Sequence, residues 1–511
     1  SLSTPNLAGV TALIYDAYLS AHGFAPGAAV AKGILKSAAD DAHQDPFLVG
    51  AGIANAHRAV LIANDTDGLS MDINEWNPGD YRGVDYAGYA NLLVPGGSDM
   101  TTVTLRNHRP SSPLDVTIED AVLASTGSLQ HTFTRIPETD PNFFLLNDTG
   151  LMTTDGSVLV SAAAGLYSGA DVIRVSMTFE WSRVAACGAL RPLRCPQHLL
   201  DLFDWTDLNA NGSFEEPDEQ NLMWRDWFTW THSAAGPVRG PNGFGFIHDP
   251  ANRTHDGLAI KLRNVTDADV GIPVTVHVEY YERVDFPWVV SSLPMVTIPA
   301  GSTMPVSLTV TVPGDADPGL YEAVVLFKLD DGNVTTLPVV VNVAMPALPS
   351  SFGGNTYDSG PYQQGVQYGT TDSLFEPRAS GDFRYYFFDL TAPANVTVLL
   401  EWDDGDSSNE IFVLSNETDW FAENLGARYG PGTEVTVGMV SSGSNTTSLA
   451  VSLKKGLSII VVRSTYLAGE APESIVAHRY MQLTGTSASA AVVSGTVALM
   501  LDEDPSLTPD Q

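Results

Sequence analysis

The sequence predicts a mainly β chain in which several β-sandwiches are flanked by short α-helical pieces. From about residue 65 onward, runs of Val, Thr, Ile and Tyr alternate with turns rich in Gly, Pro, Asn and Asp, a pattern typical of the short strands of sandwich domains. Residues 1–62, and again those from 487, carry small and aliphatic side chains spaced as in packed helices. A length of 511 residues exceeds one hydrophobic core and predicts several domains.

The clearest strand signal is the stretch VSLTVTV. Its apolar side chains, at every second position from Val306 to Val312, fall on one face, and Ser and Thr occupy the other. A strict period of two is typical of a strand with one buried and one exposed face. We therefore expect these apolar positions to line a sandwich core.

Domain boundaries are predicted where Pro, Gly and Ser cluster, because such stretches favour linkers and turns. PALPSSFGGNTYDSGPYQQG reads as a linker, and a weaker break lies around PVRGPNGFG. The predicted division is a helical segment at 1–64, a β-sandwich with an inserted loop at 65–255, a second sandwich at 256–346, a linker at 347–365, a third sandwich at 366–468 and a second helical segment at 469–511.

The charge balance restricts the possible partners. The chain has 60 Asp and Glu against 25 Lys and Arg, a net charge of -35 and a pI of about 4.4. Such a surface repels phosphate backbones and anionic membranes, which argues against nucleic acid as a partner. Abundant carboxylates suit a saline or calcium-containing exterior, so we expect an extracellular or cell-surface location. No apolar run reaches the 18 residues of a membrane-spanning helix.

Cysteines and sequons favour secretion. Cys187 and Cys195 are the only cysteines, and they either close a small disulfide loop or both stay reduced. Nine Asn-x-Ser/Thr tripeptides indicate N-glycosylation, although such tripeptides also arise by chance in loops rich in Asn and Thr. Asn211 belongs to a loop described below. The other eight are the candidate glycosylation sites: Asn64, Asn147, Asn252, Asn264, Asn333, Asn395, Asn416 and Asn445.

The C-terminal residues 485–511 read GTSASAAVVSGTVALMLDEDPSLTPDQ. A Gly-Thr-Ser turn, a helix of small and aliphatic residues, and a Leu-Thr-Pro that opens the next helix resemble the nucleophile segment of the subtilisin-like serine peptidases, the subtilase family. The resemblance implies a subtilisin-like α/β core, a peptide or protein substrate and an acyl-enzyme formed on Ser487. Free N–H groups and the dipole at a helix N-terminus would favour the developing oxyanion.

The N-terminal residues SLSTPNLAG resemble the same motif without its leading Gly-Thr, which makes Ser1 a second candidate nucleophile. The stretch GAGIANAHRAV at residues 50–60 resembles the part that closes a subtilase catalytic domain. The two ends of the chain are thus two copies of one kind of element. These resemblances cover only a minor part of the sequence.

The remaining catalytic residues of a subtilase are not evident. The family's His-Gly-Thr-His motif is absent from the sequence, and the only Asp-Thr-Gly, at 148–150, lies among strand signals and is predicted to be a turn. Without a base and its orienter, a serine is not activated. Three explanations stay open: the chain is the C-terminal part of a larger peptidase, segments are missing just before Tyr480, or the helical ends are relics in a structural protein.

The stretch TDLNANGSFEEPDE has the spacing of a calcium loop of the EF-hand or dockerin kind. Alternate oxygen-bearing side chains can converge on one cation, a glycine allows the sharp turn, and an acid at the twelfth position completes the shell. An Asx-rich hairpin without metal is the alternative. The predicted calcium ligands are Asp207, Asn209, Asn211, Ser213 through its carbonyl, and Asp218.

Two further features have open interpretations. The aromatic cluster next to this loop, Trp205, Trp224, Trp227, Phe228 and Trp230, is either a sugar- or peptide-binding platform or, as we favour, a small core. The acidic residues at 403, 404 and 406 are either a second calcium loop or a solvated turn.

The β regions also resemble accessory domains of subtilases. Residues 256–346 resemble fibronectin-type or immunoglobulin-like sandwiches, and residues 366–468 resemble the pre-peptidase C-terminal type. The leading hypothesis is therefore a secreted, calcium-stabilised, subtilisin-like serine endopeptidase, seen as an incomplete chain. The alternative is a non-enzymatic surface or filament protein, assembled as a homo-oligomer through its β-sandwiches.

Overall fold

The structure, a computed structural model, describes part of the chain. The described residues are 3–43, 49–72, 89–133, 143–179, 198–214, 219–225, 238–239, 243–264, 274–346, 348, 350, 382–401, 407–415, 434–438 and 446–467. The described helices are α1 (Ser3–His22), α2 (Ala28–Ser37), α3 (Ala56–Ala63) and α4 (Pro250–Arg253). None of them combines the length and apolarity needed to cross a bilayer.

Strands dominate the described residues, which confirms the mainly β class. They are β1 (Leu69–Asp72), β2 (Tyr89–Leu93), β3 (Ser98–Asn107), β4 (Leu114–Phe133), β5 (Phe143–Asn147), β6 (Gly150–Thr153), β7 (Val158–Ser161), β8 (Val172–Phe179), β9 (His198–Trp205), β10 (Gln220–Arg225), β11 (Val238–Arg239), β12 (Gly243–His248), β13 (Gly257–Asn264), β14 (Val274–Val284), β15 (Val289–Ser291), β16 (Met295–Ile298), β17 (Thr303–Thr311), β18 (Gly319–Leu329), β19 (Val334–Val343), β20 (Asp382–Leu390), β21 (Ala394–Glu401), β22 (Ser407–Ser415), β23 (Glu434–Gly438), β24 (Thr446–Leu453) and β25 (Gly456–Leu467).

The first sandwich has one sheet in the order β1-β3-β17-β15. Its core partners come from β16, the first part of β4, β18 and β19. Val306, Leu308 and Val310 of β17 are fully buried in this core, and Val312 just beyond it is 1% exposed. The predicted alternation in this stretch is therefore confirmed.

The second sandwich uses the rest of β4, which at 20 residues extends through both cores. Its last twelve residues pair with β14, which continues to β8 and β12. The opposite sheet has the order β10-β9-β13-β5-β6-β7. Leucines and valines from both sheets, such as Leu202, Leu258 and Val276, fill the core between them.

The strand pairings cross the predicted domain boundary at 255/256. Strand β13 lies between β5 and β9, β14 lies between β4 and β8, and β17 pairs with β3. Each of the two cores therefore needs strands from both sides of residue 256.

The third sandwich lies beyond the predicted linker, of which residues 347, 349 and 351–365 lie outside the described part of the chain. Strands β20, β25, β22 and β23 form one sheet, and β21 pairs with β24. Phe388, Val413 and Ile460 from the larger sheet pack with Val396 and Leu449 from the smaller one. This arrangement agrees with the expected sandwich.

Helices α1 to α3 form a small core of their own, which includes Ile14, Ile34 and Ile62. The Asn55 side chain caps α3 by accepting the Arg58 N–H at 3.0 Å. Ser37 connects this helical unit to the first sandwich, because its hydroxyl accepts the Met71 N–H and its carbonyl accepts the Thr335 hydroxyl. The helices therefore pack on the sandwich as a fixed unit.

Candidate functional site

Several residues predicted from the sequence lie outside the described residues. These are the two candidate nucleophiles Ser1 and Ser487, the calcium ligand Asp218, the cysteines Cys187 and Cys195, and the sequon residues Asn416 and Asn445. The acidic residues 403, 404 and 406 also lie outside, as does the predicted segment 469–511.

The predicted calcium loop is described from Asp207 to Phe214. Asp207 accepts the N–H groups of Asn211 and Gly212 at 3.0 and 2.7 Å, and Asn211 accepts that of Ser213 at 2.7 Å. Gly212 has a φ of 75°, a backbone conformation that a glycine adopts without strain. The loop is thus a compact turn whose oxygen-bearing side chains bend inward.

The chemistry of this loop fits a hard cation. Asp207, Asn209 and Asn211 offer carboxylate and amide oxygens, the ligands that calcium prefers. Each such oxygen has two lone pairs, so accepting one backbone N–H leaves capacity for a metal. Among the described residues, however, no group of three or more His, Cys, Asp and Glu side chains is arranged to hold a metal.

Two other sequence motifs have structural roles. Asp148 lies in the turn between β5 and β6, and its carboxylate accepts the N–H groups of Tyr167 and Ser168 at 3.1 and 3.0 Å, which confirms the predicted turn. Trp205 is 3% exposed in a core with Phe203, and Trp224 packs against Phe246 with ring centroids 4.6 Å apart. The rest of the aromatic cluster lies outside the described residues.

The described sequons occupy different environments. Asn252, Asn333 and Asn395 are exposed, while Asn64 and Asn147 are partly buried. Asn264 belongs to β13. Glycosylation of all eight sites stays a prediction.

The structure brings together three residues that the sequence did not link: Asp65, Ser70 and His108. Helix α3 ends at Ala63, and Gly68 then allows the chain to turn into β1, because its φ of 103° and a distance of 2.8 Å from a built Cβ to Ile62 exclude a larger side chain. His108 follows β3, the neighbour of β1, and its N–H donates to the Gly68 carbonyl at 3.0 Å.

These three side chains form a continuous hydrogen-bonded array. His108 Nδ1 lies 2.6 Å from Asp65 Oδ1, and His108 Nε2 lies 2.6 Å from Ser70 Oγ. The carboxylate only accepts, so Nδ1 carries the proton and a neutral ring leaves a lone pair on Nε2. The Ser70 hydroxyl then donates to Nε2. We call this set the Asp65–His108–Ser70 array.

The electrostatics of the array keep the imidazole neutral. The His108 side chain is 6% exposed, and burial lowers its pKa, opposed by the hydrogen bond to Asp65, which raises it. Arg106 Nη2 donates to both oxygens of Asp65 at 3.0 and 3.1 Å. His22 Nε2 lies 3.6 Å from Asp65 Oδ2. Asp65 is therefore a carboxylate surrounded by three cationic or titratable partners.

Sequence reasoning missed this array because its members belong to no motif. Asp65 and Ser70 lie in DTDGLS, where only the glycine signals a turn. His108 comes 38 residues after Ser70, and only the antiparallel pairing of β1 with β3 brings the two together. No local pattern reports such a pairing.

The C-terminal part of the chain matches a known family. Residues 432–511 match the model of the subtilase family, peptidase S8. The match includes Ser487 and its Gly-Thr-Ser turn, and it begins two residues before β23, in the third sandwich. This part of the chain is thus similar to a family of serine peptidases, which act on peptide or protein substrates. A search of the curated proteins gave no match.

Two solved structures from Clostridium perfringens share weak similarity with this chain. One is a family 123 glycoside hydrolase, studied for glycolipid glycan hydrolysis, with 10% identity over 56% of this chain and 28% of that chain, at a TM-score of 0.18. The other is the M60 catalytic domain of ZmpB with its CBM51-1 and CBM51-2 domains, with 8% identity over 79% and 48% of the two chains, at a TM-score of 0.12. This chain thus spans less than half the length of either, and neither similarity informs its function.

Proposed function

We propose that this chain belongs to a secreted subtilisin-like serine endopeptidase. The family match over residues 432–511, which includes the Gly-Thr-Ser motif at Ser487, is the observation that supports this proposal. Ser487 attacks a peptide carbonyl, and the backbone N–H groups that follow it stabilise the oxyanion. The β-sandwiches hold or protect the catalytic part outside the cell.

Labelling with a fluorophosphonate tests the nucleophile. We expect the full chain, expressed with whatever its gene encodes around it, to carry one adduct on Ser487, and Ser487→Ala to lose it. Ser489→Ala, two positions along the same segment, is the matched control and should keep the label. An intact protein that is labelled on neither Ser487 nor Ser1 would contradict the peptidase proposal and favour the non-enzymatic surface protein.

We also propose that the loop of Asp207, Asn209 and Asn211 binds calcium, together with the Ser213 carbonyl and Asp218. The inward-facing side-chain oxygens of the described part support this proposal. A bound cation would stabilise the turn beside β9 and β10 and take no part in peptide hydrolysis.

Thermal unfolding in calcium and in EDTA tests this site. Calcium at about 100 times its Kd should raise the free energy of unfolding by about 2.7 kcal/mol, because it binds only the folded loop. Asp207→Ala should abolish the difference, whereas Asp155→Ala should keep it, since Asp155 lies in a nearby turn outside the calcium pattern. Equal midpoints in calcium and EDTA for the natural chain would exclude a stabilising calcium site.

A further inference from the structure

We propose that the Asp65–His108–Ser70 array is a second nucleophile site, separate from Ser487, and that it accepts small carboxylic esters. The three side chains have the roles that acyl transfer requires. Ser70 is the nucleophile, His108 the general base, and Asp65 the group that orients the base. This site neither needs nor supplies the subtilase activity proposed above.

The hydrogen bonds fix the direction of proton transfer. Both contacts of His108 are 2.6 Å long, within the reach expected between a nucleophile, its base and the orienter. Because Asp65 accepts from Nδ1, the lone pair of Nε2 faces the Ser70 hydroxyl. A structural hydroxyl needs no such acceptor, whereas a nucleophile does.

Burial differs along the array in the direction that catalysis requires. His108 is 6% exposed, which keeps water away from the base. Ser70 is only partly buried and lies on β1, the edge strand of its sheet, where Leu69 and Met71 point into the core and Ser70 points outward. A substrate can therefore approach Ser70 from outside the sandwich, while the base stays in a dry environment.

Backbone strain is concentrated at the orienting residue. Asp65 has a φ of 53°, in the left-handed region that non-glycine residues rarely adopt. Such strain costs on the order of 1 kcal/mol or more and is found most often at functional sites. Here it aims the carboxylate at both His108 and Arg106.

Arg106 indicates the substrate class. It is directly opposite Ser70 in the β1–β3 pairing, so both side chains leave the same face of the sheet, and its side chain is 47% exposed. A guanidinium on this face can stabilise negative charge that develops on a carbonyl oxygen. One such group suits an ester, whose alcohol leaves more easily than an amine.

The proposed reaction is balanced without a cofactor. The Ser70 proton moves to His108 Nε2 as Oγ attacks the ester carbonyl carbon, and a tetrahedral intermediate forms. When the ester C–O bond breaks, His108 returns the proton to the leaving alcohol. Water then cleaves the acyl-serine by the same route, which gives the acid and restores the hydroxyl.

Peptide mapping after fluorophosphonate labelling tests this site directly. Trypsin cuts after Arg58 and Arg82, and the peptide between them contains Ser70 as its only serine. Ser487 belongs to a different peptide, which starts at Tyr480. An adduct on one peptide and not on the other therefore separates this proposal from the peptidase proposal.

We expect the folded full chain to label at Ser70 at least about 100-fold faster than the urea-unfolded chain, the rate effect of a positioned base. His108→Gln and Asp65→Asn should reduce the labelling rate of the folded chain, and Ser70→Ala should abolish hydrolysis of p-nitrophenyl acetate in a Ser1→Ala, Ser487→Ala background. Ser98→Ala is the matched control and should hydrolyse as before, because Ser98 lies on β3 with Val310 and Thr311 as its partners.

The folded natural chain decides the question even if the His108 variant does not fold. If Ser70 is unlabelled there, or is labelled equally in the unfolded chain, the array is only a hydrogen-bonded pin between α3 and β3 and the proposal is wrong.

Discussion

Two asparagines in the first sandwich show how hydrogen bonding decides the role of a buried polar residue. Asn107 and Asn91 are both 0% exposed. The Asn107 amide donates to the carbonyls of Ser112, Ile298 and Pro299, and its oxygen accepts the Arg109 N–H. Neither side-chain atom of Asn91 has a hydrogen-bond partner in the described part of the chain. The first residue connects loops, and the second burdens the core.

We therefore predict opposite effects for the same substitution at these two positions. Asn91→Leu should raise the free energy of unfolding by about 1–3 kcal/mol, because it removes two unsatisfied polar atoms. Asn107→Leu should lower it by at least about 2 kcal/mol, because it leaves buried carbonyls without donors. Urea unfolding of the two variants measures both changes, and a loss of stability in Asn91→Leu would show that its amide has a partner.

At the scale of elements, Arg58 connects the helical unit to the first sandwich. Its guanidinium donates to the Ala39 carbonyl, to Asp40, to the Val334 carbonyl and to the Thr335 hydroxyl at 3.1 to 3.2 Å. The side chain is 11% exposed. The planar fork of an arginine can reach all four acceptors at once, whereas a lysine ammonium cannot.

We predict that Arg58→Ala loosens the helices from the sandwich. The variant should lose about 2–3 kcal/mol, because several half-buried acceptors lose their donor. Amide hydrogen exchange should increase in α1 to α3 before it increases in β17. Lys328→Ala is the matched control: Lys328 pairs with Glu119 at the surface, where both side chains are more than 40% exposed, so its loss should cost less than about 1 kcal/mol. Equal exchange in the two variants would contradict this anchoring role.

At the scale of the whole molecule, the excess of carboxylates dominates. With 60 acidic and 25 basic residues, every cation has carboxylates available. Arg109, for example, binds Asp67, Asp330 and Asp331 together, which joins the turn before β1 to the turn between β18 and β19. Most carboxylates have no cation to pair with, so they repel one another across the folded surface.

We predict that sodium chloride stabilises this protein at neutral pH. Raising the salt concentration from low to molar shortens the Debye length from roughly 30 to 3 Å, which screens the repulsion of a net charge of -35. The thermal midpoint should rise accordingly. Near pH 4.4, where the net charge approaches zero, the same salt step should have little effect. A salt effect of the same size at both pH values would mean that screening is not its cause.

The sequence by itself determined which segments form strands and which form helices. Alternation in β17 and small-residue spacing in α1 and α2 are local properties, and the Asp207 loop and the Asp148 turn depend on residues close in sequence. The similarity to subtilases also follows from short contiguous motifs. Each of these features is readable because its physical cause lies within one stretch of chain.

Only the tertiary structure decided how those segments combine. The sequence divides the chain near residue 256, but β4, β13 and β14 form sheets across that point, because burying both faces of long strands requires partners distant in sequence. The same holds for Asp65, Ser70 and His108. They meet because Leu69 and Met71 must face the core, which sets the register of β1 against β3 and leaves Ser70 beside His108.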